Sequence, residues 1–175
     1  MTVRINEMTM IMNSLNRYRR WFEYEQDAHA KVLASFEAMP EDKRATPEFQ
    51  QALSLFAHMM LARRLWLYRF GVLAEGPTDF FPQNVALDAI KEMSEEMNTD
   101  WKAYFERLDE AELERVFEYR ALDGPRFRNR IEDILAQLFG HSWYHRGQIA
   151  LLLRQAGGAP AVTDLVYWAR EFIGQ

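Results

Sequence analysis

The chain has no cysteine and only four histidines. Without cysteine there can be no disulfide and no thiolate metal site, so any metal ion must be held by nitrogen and oxygen donors. No stretch approaches the roughly 18 uninterrupted apolar residues of a membrane-spanning helix. Met1 to Asn16 lacks an apolar core flanked by basic residues, which argues against a signal peptide and leaves the cytoplasm as the expected compartment. A basic surplus is missing too. The net charge of −5 argues against non-specific nucleic-acid binding, which depends on neutralising phosphates, and points to a small-molecule partner instead. The local basic clusters Arg17–Arg20, Arg63–Arg64 and Arg126–Arg130 read as solvated helix or loop faces, because acidic residues crowd nearby.

What is present is ordinary for a globular chain: 49% hydrophobic, 27% charged and 14% aromatic residues. A length of 175 residues suits one domain spanning 1–175. Hydrophobic periodicity predicts four helices. The first runs from about Asn13 to Met39, with Leu15, Tyr18, Phe22, His29, Leu33 and Phe36 near one face, and ends at Pro40-Glu-Asp. The second opens on Thr46-Pro47, an N-cap followed by proline at the first helical position, and carries Leu55, His58, Ala62 and Leu65 on one face. From Gly71 to Asn84, Gly76-Pro77 and Pro82 predict a loop whose length suits a segment that must travel.

The third helix carries Ile90, Met97, Trp101, Tyr104 and Leu108 at helical steps. Val116, Phe117 and Tyr119, then Asp123-Gly124-Pro125 and Phe127, predict a small two-stranded hairpin or irregular insertion between the third and fourth helices. The fourth helix presents Ile131, Leu135, Leu138, His141, His145, Gln148 or Ile149, and Leu152 inward, and Gly157-Gly158 with Pro160 ends it. A further turn or two is expected within Asp164–Phe172. One long connection among four amphipathic helices favours an all-α four-helix bundle of up-down-down-up topology, with the 71–84 segment running along the bundle's length.

All four histidines fall on faces assigned as inner. His141 and His145 stand four residues apart, which stacks two imidazoles on one side of a helix, and His58 on another helix can supply a third nitrogen. Three imidazoles would leave one or more positions on a metal ion open for water or substrate. With the first two helices antiparallel about a turn near residue 43, His58 lies level with His29 or Ala28. His29 is therefore a candidate extra ligand, catalytic proton-transfer group or pocket wall, against the alternative of a buried histidine bonded to a carbonyl. Gln148, three residues after His145, can bond a ligand imidazole, whereas Arg146, turned about 100° away, suits a surface salt bridge better than an anionic substrate group.

Phe56-Ala-His-Met-Met-Leu-Ala-Arg-Arg-Leu-Trp66-Leu-Tyr-Arg-Phe-Gly71 resembles the second helix of the DinB/YfiT-like superfamily. Leu138-Phe-Gly-His-Ser-Trp-Tyr-His-Arg-Gly-Gln-Ile149, continued by Ala150–Gly157 and Thr163–Tyr167, resembles its last helix and tail, and Tyr24, Ala28 and Pro40-Glu-Asp match its first. The resemblance implies an up-down-down-up bundle, a homodimer, and a divalent metal held by His58, His141 and His145. His29 departs from the asparagine common at that position. Relatives include metal-dependent transferases and isomerases that use low-molecular-weight thiols. The expectation is thus a metal-dependent enzyme, thiol transferase or hydrolase. Imidazole ligands suit zinc, nickel, iron and copper alike; zinc or nickel is the first expectation. The rival is a non-catalytic helical module in which Trp143-Tyr144 and Trp168 form a dimer seam.

Overall fold

The computed structural model describes residues 14–174, so Asn13 and the leading segment read above lie outside it. Four long helices carry the fold: α1 (Ser14–Glu37), α2 (Pro47–Arg69), α3 (Leu87–Arg107) and, after two short elements, α5 (Ile131–Gln155). The intervening pieces are the short helix α4 (Glu110–Glu114) and an antiparallel hairpin of β1 (Val116–Arg120) with β2 (Arg126–Arg130). A terminal turn, α6 (Leu165–Ala169), completes the chain. The expected hairpin is present, with Tyr119 opposite Phe127. α4 was not anticipated; Asp109 starts it by accepting from the Glu112 amide at 2.8 Å.

Helix boundaries follow local chemistry. The Thr46 hydroxyl accepts from the Phe49 amide and Pro47 occupies the first position of α2. α1 ends two residues before the expected Met39. After α5, Gly157 takes a left-handed φ of +86°, which a side chain rarely adopts. A Cβ at Gly158 would meet the flexible end of the Met39 side chain, which would have to shift to admit it.

α1 and α2 each lie against both α3 and α5. Phe36, Phe56, Leu67, Ile90, Trp101, Ile131, Leu135 and Phe139 fill the space between them. Each such side chain contributes about 1.5–3 kcal/mol relative to exposure. One face was misassigned. Leu55, His58, Ala62 and Leu65 of α2 are half-buried, and the core stripe is instead Phe49, Phe56, Met60, Arg63 and Leu67. His58 therefore stands on the flank of the core, where solvent can reach it. Among the described residues, no helix is long and apolar enough to cross a membrane.

Candidate metal centre

α2 and α5 pack side by side, which brings His58 of α2 against His141 and His145 of α5. His141 Nε2 lies 3.2 Å from His58 Nε2 and 3.0 Å from His145 Nε2. Two donors about 2.05 Å from one ion at a tetrahedral angle sit about 3.3 Å apart, so these separations suit three imidazoles on one ion. Among the described residues this is the one group of three or more histidine or carboxylate side chains close enough to share a metal ion.

Hydrogen bonds on the far sides of the rings fix how the near nitrogens face. His58 Nδ1 is 2.8 Å from the Phe80 carbonyl, which can only accept, so the ring proton sits on Nδ1. His145 Nδ1 donates to Gln148 Oε1 at 2.6 Å. Both Nε2 atoms therefore turn lone pairs inward, and a single proton on His141 Nε2 can satisfy only one of them. At least one pair of nitrogens faces lone pair to lone pair, an arrangement that a cation relieves. The donor set fits a divalent ion, and Phe80 and Gln148 hold two of its imidazoles in place.

Burial, aided by repulsion from His145, pushes the His58 imidazole below its ordinary pKa, while the Phe80 carbonyl pulls it partly back. Burial and the neighbouring His145, His58 and Arg63 push His141 down to about 4. Both rings are neutral at pH 7 and need lose no proton to bind a metal. Replacing Gln148 with alanine is expected to weaken metal affinity about 10–100-fold, read by competition with a chromogenic chelator.

The loop between α2 and α3 closes one side. Phe81 stacks on His58 with ring centroids 4.2 Å apart, yet is itself exposed. Sequence reasoning missed Phe80 and Phe81; the unusual length of their loop was the available signal.

His29 lies elsewhere. It packs against Phe56, two residues from His58 on α2 and so near the expected level, but is 3% exposed and meets Phe56 and Glu25 rather than the three imidazoles. Arg63 ion-pairs with Glu25 beside it, so the expectation of a solvated face at Arg63–Arg64 is corrected: Arg63 is buried because a carboxylate on α1 meets it. Arg128 and Arg130 do lie exposed on β2. Arg146 also departs from its expected surface salt bridge. It is buried, packs over the Tyr24 ring and donates to the Tyr24 hydroxyl. The tail covers it: Tyr24 bonds the Thr163 carbonyl, and the Ala161 amide donates to Ser35. Trp168 is half-buried against Tyr24, while Trp143 and Tyr144 remain exposed.

Burial, with Arg63 and Arg146 nearby, holds the His29 pKa well below its ordinary value. Below about pH 6.5 the unfolded chain binds a proton at this position that the folded chain refuses, so stability falls on acidification. The expected slope is up to about 1.4 kcal/mol per pH unit from this one group. Urea titrations of wild type and His29→Leu at pH 7.5 and 5.5 isolate it: the wild type should lose more stability between the two.

Helices around a three-histidine cluster define a class of helical proteins equipped to hold a divalent ion. The family model for the DinB family matches residues 10–171, and the chain belongs to that family. It is also similar to a DinB-like protein from Bacillus cereus of known crystal structure, at 23% identity and a TM-score of 0.63, covering 83% of this chain and 95% of that one. At that identity the likeness shows the fold alone. No curated protein matches the chain.

Proposed function

We propose that this protein is a metal-dependent enzyme in which His58, His141 and His145 hold one divalent ion and leave a coordination position open to a small substrate. The observation that carries the reading is the inward-facing set of three Nε2 atoms, two of them fixed by the Phe80 and Gln148 bonds. Zinc or nickel is the first choice, with iron or copper also suited to imidazole. When bound, the ion would supply Lewis acidity, lowering the pKa of a water or a low-molecular-weight thiol so that a nucleophile exists at neutral pH. The chain's own part is to hold the His58 and His141 imidazoles neutral, to orient the ring nitrogens of His58 and His145, and to shield the site on one side with Phe81.

His29 was the candidate catalytic group. Its Nε2 is unpaired, but its depressed pKa and its contacts favour a buried wall over a general base. The up-down-down-up bundle is supported by paired contacts along α1: Glu25 with Arg63 and Phe36 with Phe49 run it against α2, Arg19 with Phe105 and Glu37 with Lys91 run it against α3, and Tyr18 with Phe139 and Tyr24 with Arg146 run it along α5; one domain over 1–175 forms it. A homodimer in the cytoplasm completes the reading. Its support is the exposed apolar set Trp143, Tyr144, Leu151, Val166 and Tyr167, which equally suits the alternative of a non-catalytic interaction module.

The discriminating experiment offers metal-loaded and metal-stripped protein a small thiol with an electrophile, and separately an activated ester. Metal-dependent turnover that His58→Ala abolishes supports the enzyme, and the thiol and ester arms separate transferase from hydrolase. Stoichiometric metal without turnover in either arm supports the module.

A further inference from the structure

Between α1, α2 and α3 lies a second polar site, apart from the three histidines. A cavity of about 10 Å³ is lined in part by the half-buried amides Gln26 and Asn98 and by four buried side chains that each carry an unpartnered polar atom: Glu25 Oε1, His29 Nε2, Arg63 Nε and Trp101 Nε1. Glu25, His29, Arg63 and Trp101 are all 3% exposed or less. Leaving a buried polar group without a hydrogen bond is destabilising, the more so when it is charged. Four on one cavity wall is therefore a demand for a ligand.

The chemistry of the wall selects it. A cavity of about 10 Å³ matches the roughly 10–15 Å³ needed for one water and admits no organic molecule. The Arg63 guanidinium disfavours a cation and the Glu25 carboxylate disfavours an anion. The indole and guanidinium N–H groups are donors, whereas the carboxylate oxygen and a neutral imidazole nitrogen are acceptors. Two donors and two acceptors are the complement of a single water molecule. The 3.9 Å between His29 Nε2 and Glu25 Oε1 is too long for a direct hydrogen bond and suits one bridging atom.

We infer that this cavity is a binding site for one internal water, which accepts from Trp101 Nε1 and Arg63 Nε and donates to Glu25 Oε1 and His29 Nε2. The water ties three helices together, with Glu25 and His29 from α1, Arg63 from α2 and Trp101 from α3. It also assigns the His29 ring proton to Nδ1. The inference does not depend on a bound metal.

The test is a water-selective NMR experiment on the full-length chain with ¹⁵N-labelled tryptophan, in which Trp101→Phe identifies the Trp101 indole signal among those of the five tryptophans. A direct cross-relaxation peak between that indole proton and a long-lived water is expected, separated from relayed exchange by its sign in the rotating frame. His29→Phe, which removes an acceptor and pushes a ring carbon into the cavity, should abolish the peak while the indole signal persists. A high-resolution crystal structure should show one ordered water within hydrogen-bonding distance of Glu25 and His29. Absence of the peak in the folded wild type, or a direct Glu25–His29 hydrogen bond closing the space, overturns the inference.

Discussion

Arg63→Met is expected to destabilise the protein by about 3–5 kcal/mol, because it leaves the Glu25 carboxylate buried without its partner. Both side chains are almost fully enclosed, and Arg63 also reaches the Ser142 hydroxyl at 3.5 Å. For a chain of this length each kcal/mol moves the melting temperature by about 2–4 °C, so thermal denaturation should show a drop of about 10 °C. Burial already pushes the Glu25 carboxyl above its ordinary pKa, and Arg63 is the main group pulling it back. Losing Arg63 thus favours the protonated acid. The double variant Arg63→Met with Glu25→Leu should recover most of the loss, because apolar replacement of both partners removes the desolvation cost along with the attraction. A single variant that costs less than about 1 kcal/mol would show that the pair is solvated like an ordinary surface bridge.

His141→Ala should produce the largest change in metal affinity of any single substitution. Both short nitrogen contacts in the cluster converge on its Nε2, so its loss removes the central donor. Affinity should fall by more than the roughly 10–100-fold expected for Gln148→Ala. The stability of metal-free protein should move the other way or stay unchanged, because the half-buried imidazole no longer crowds two others. Chelator competition and urea unfolding on the same samples separate these effects. Weakened binding that merely tracks global unfolding would contradict this account.

Periodicity was informative wherever apolar residues recur on one helix. It located the hairpin, the end of α5 at Gly157, and His141 and His145 on one side of α5. The bond from His145 to Gln148 was legible from a spacing of three. The level of His29 was also legible, because an antiparallel pair about a known turn fixes height along the bundle. The direction in which His29 points was not, since height says nothing about rotation around an axis. Arg63 and Arg146 were misread for one reason: a helical pattern assigns charged residues outward. Their burial depends on partners distant in sequence, Glu25 for one, and Tyr24 with the folded-back tail for the other. On α2 the half-buried stripe through His58 looked as apolar as the true core stripe, which contains an arginine. The Phe80 carbonyl was out of reach altogether, because a loop's path leaves no periodic trace.

Metal analysis of full-length protein purified without chelators or metal-affinity resin tests the central claim most directly. The account predicts about one equivalent of divalent ion per chain, lost in each of the His58→Ala, His141→Ala and His145→Ala variants and retained in His29→Leu. Protein that takes up no ion even when zinc or nickel is supplied, or whose uptake survives all three substitutions, would contradict it.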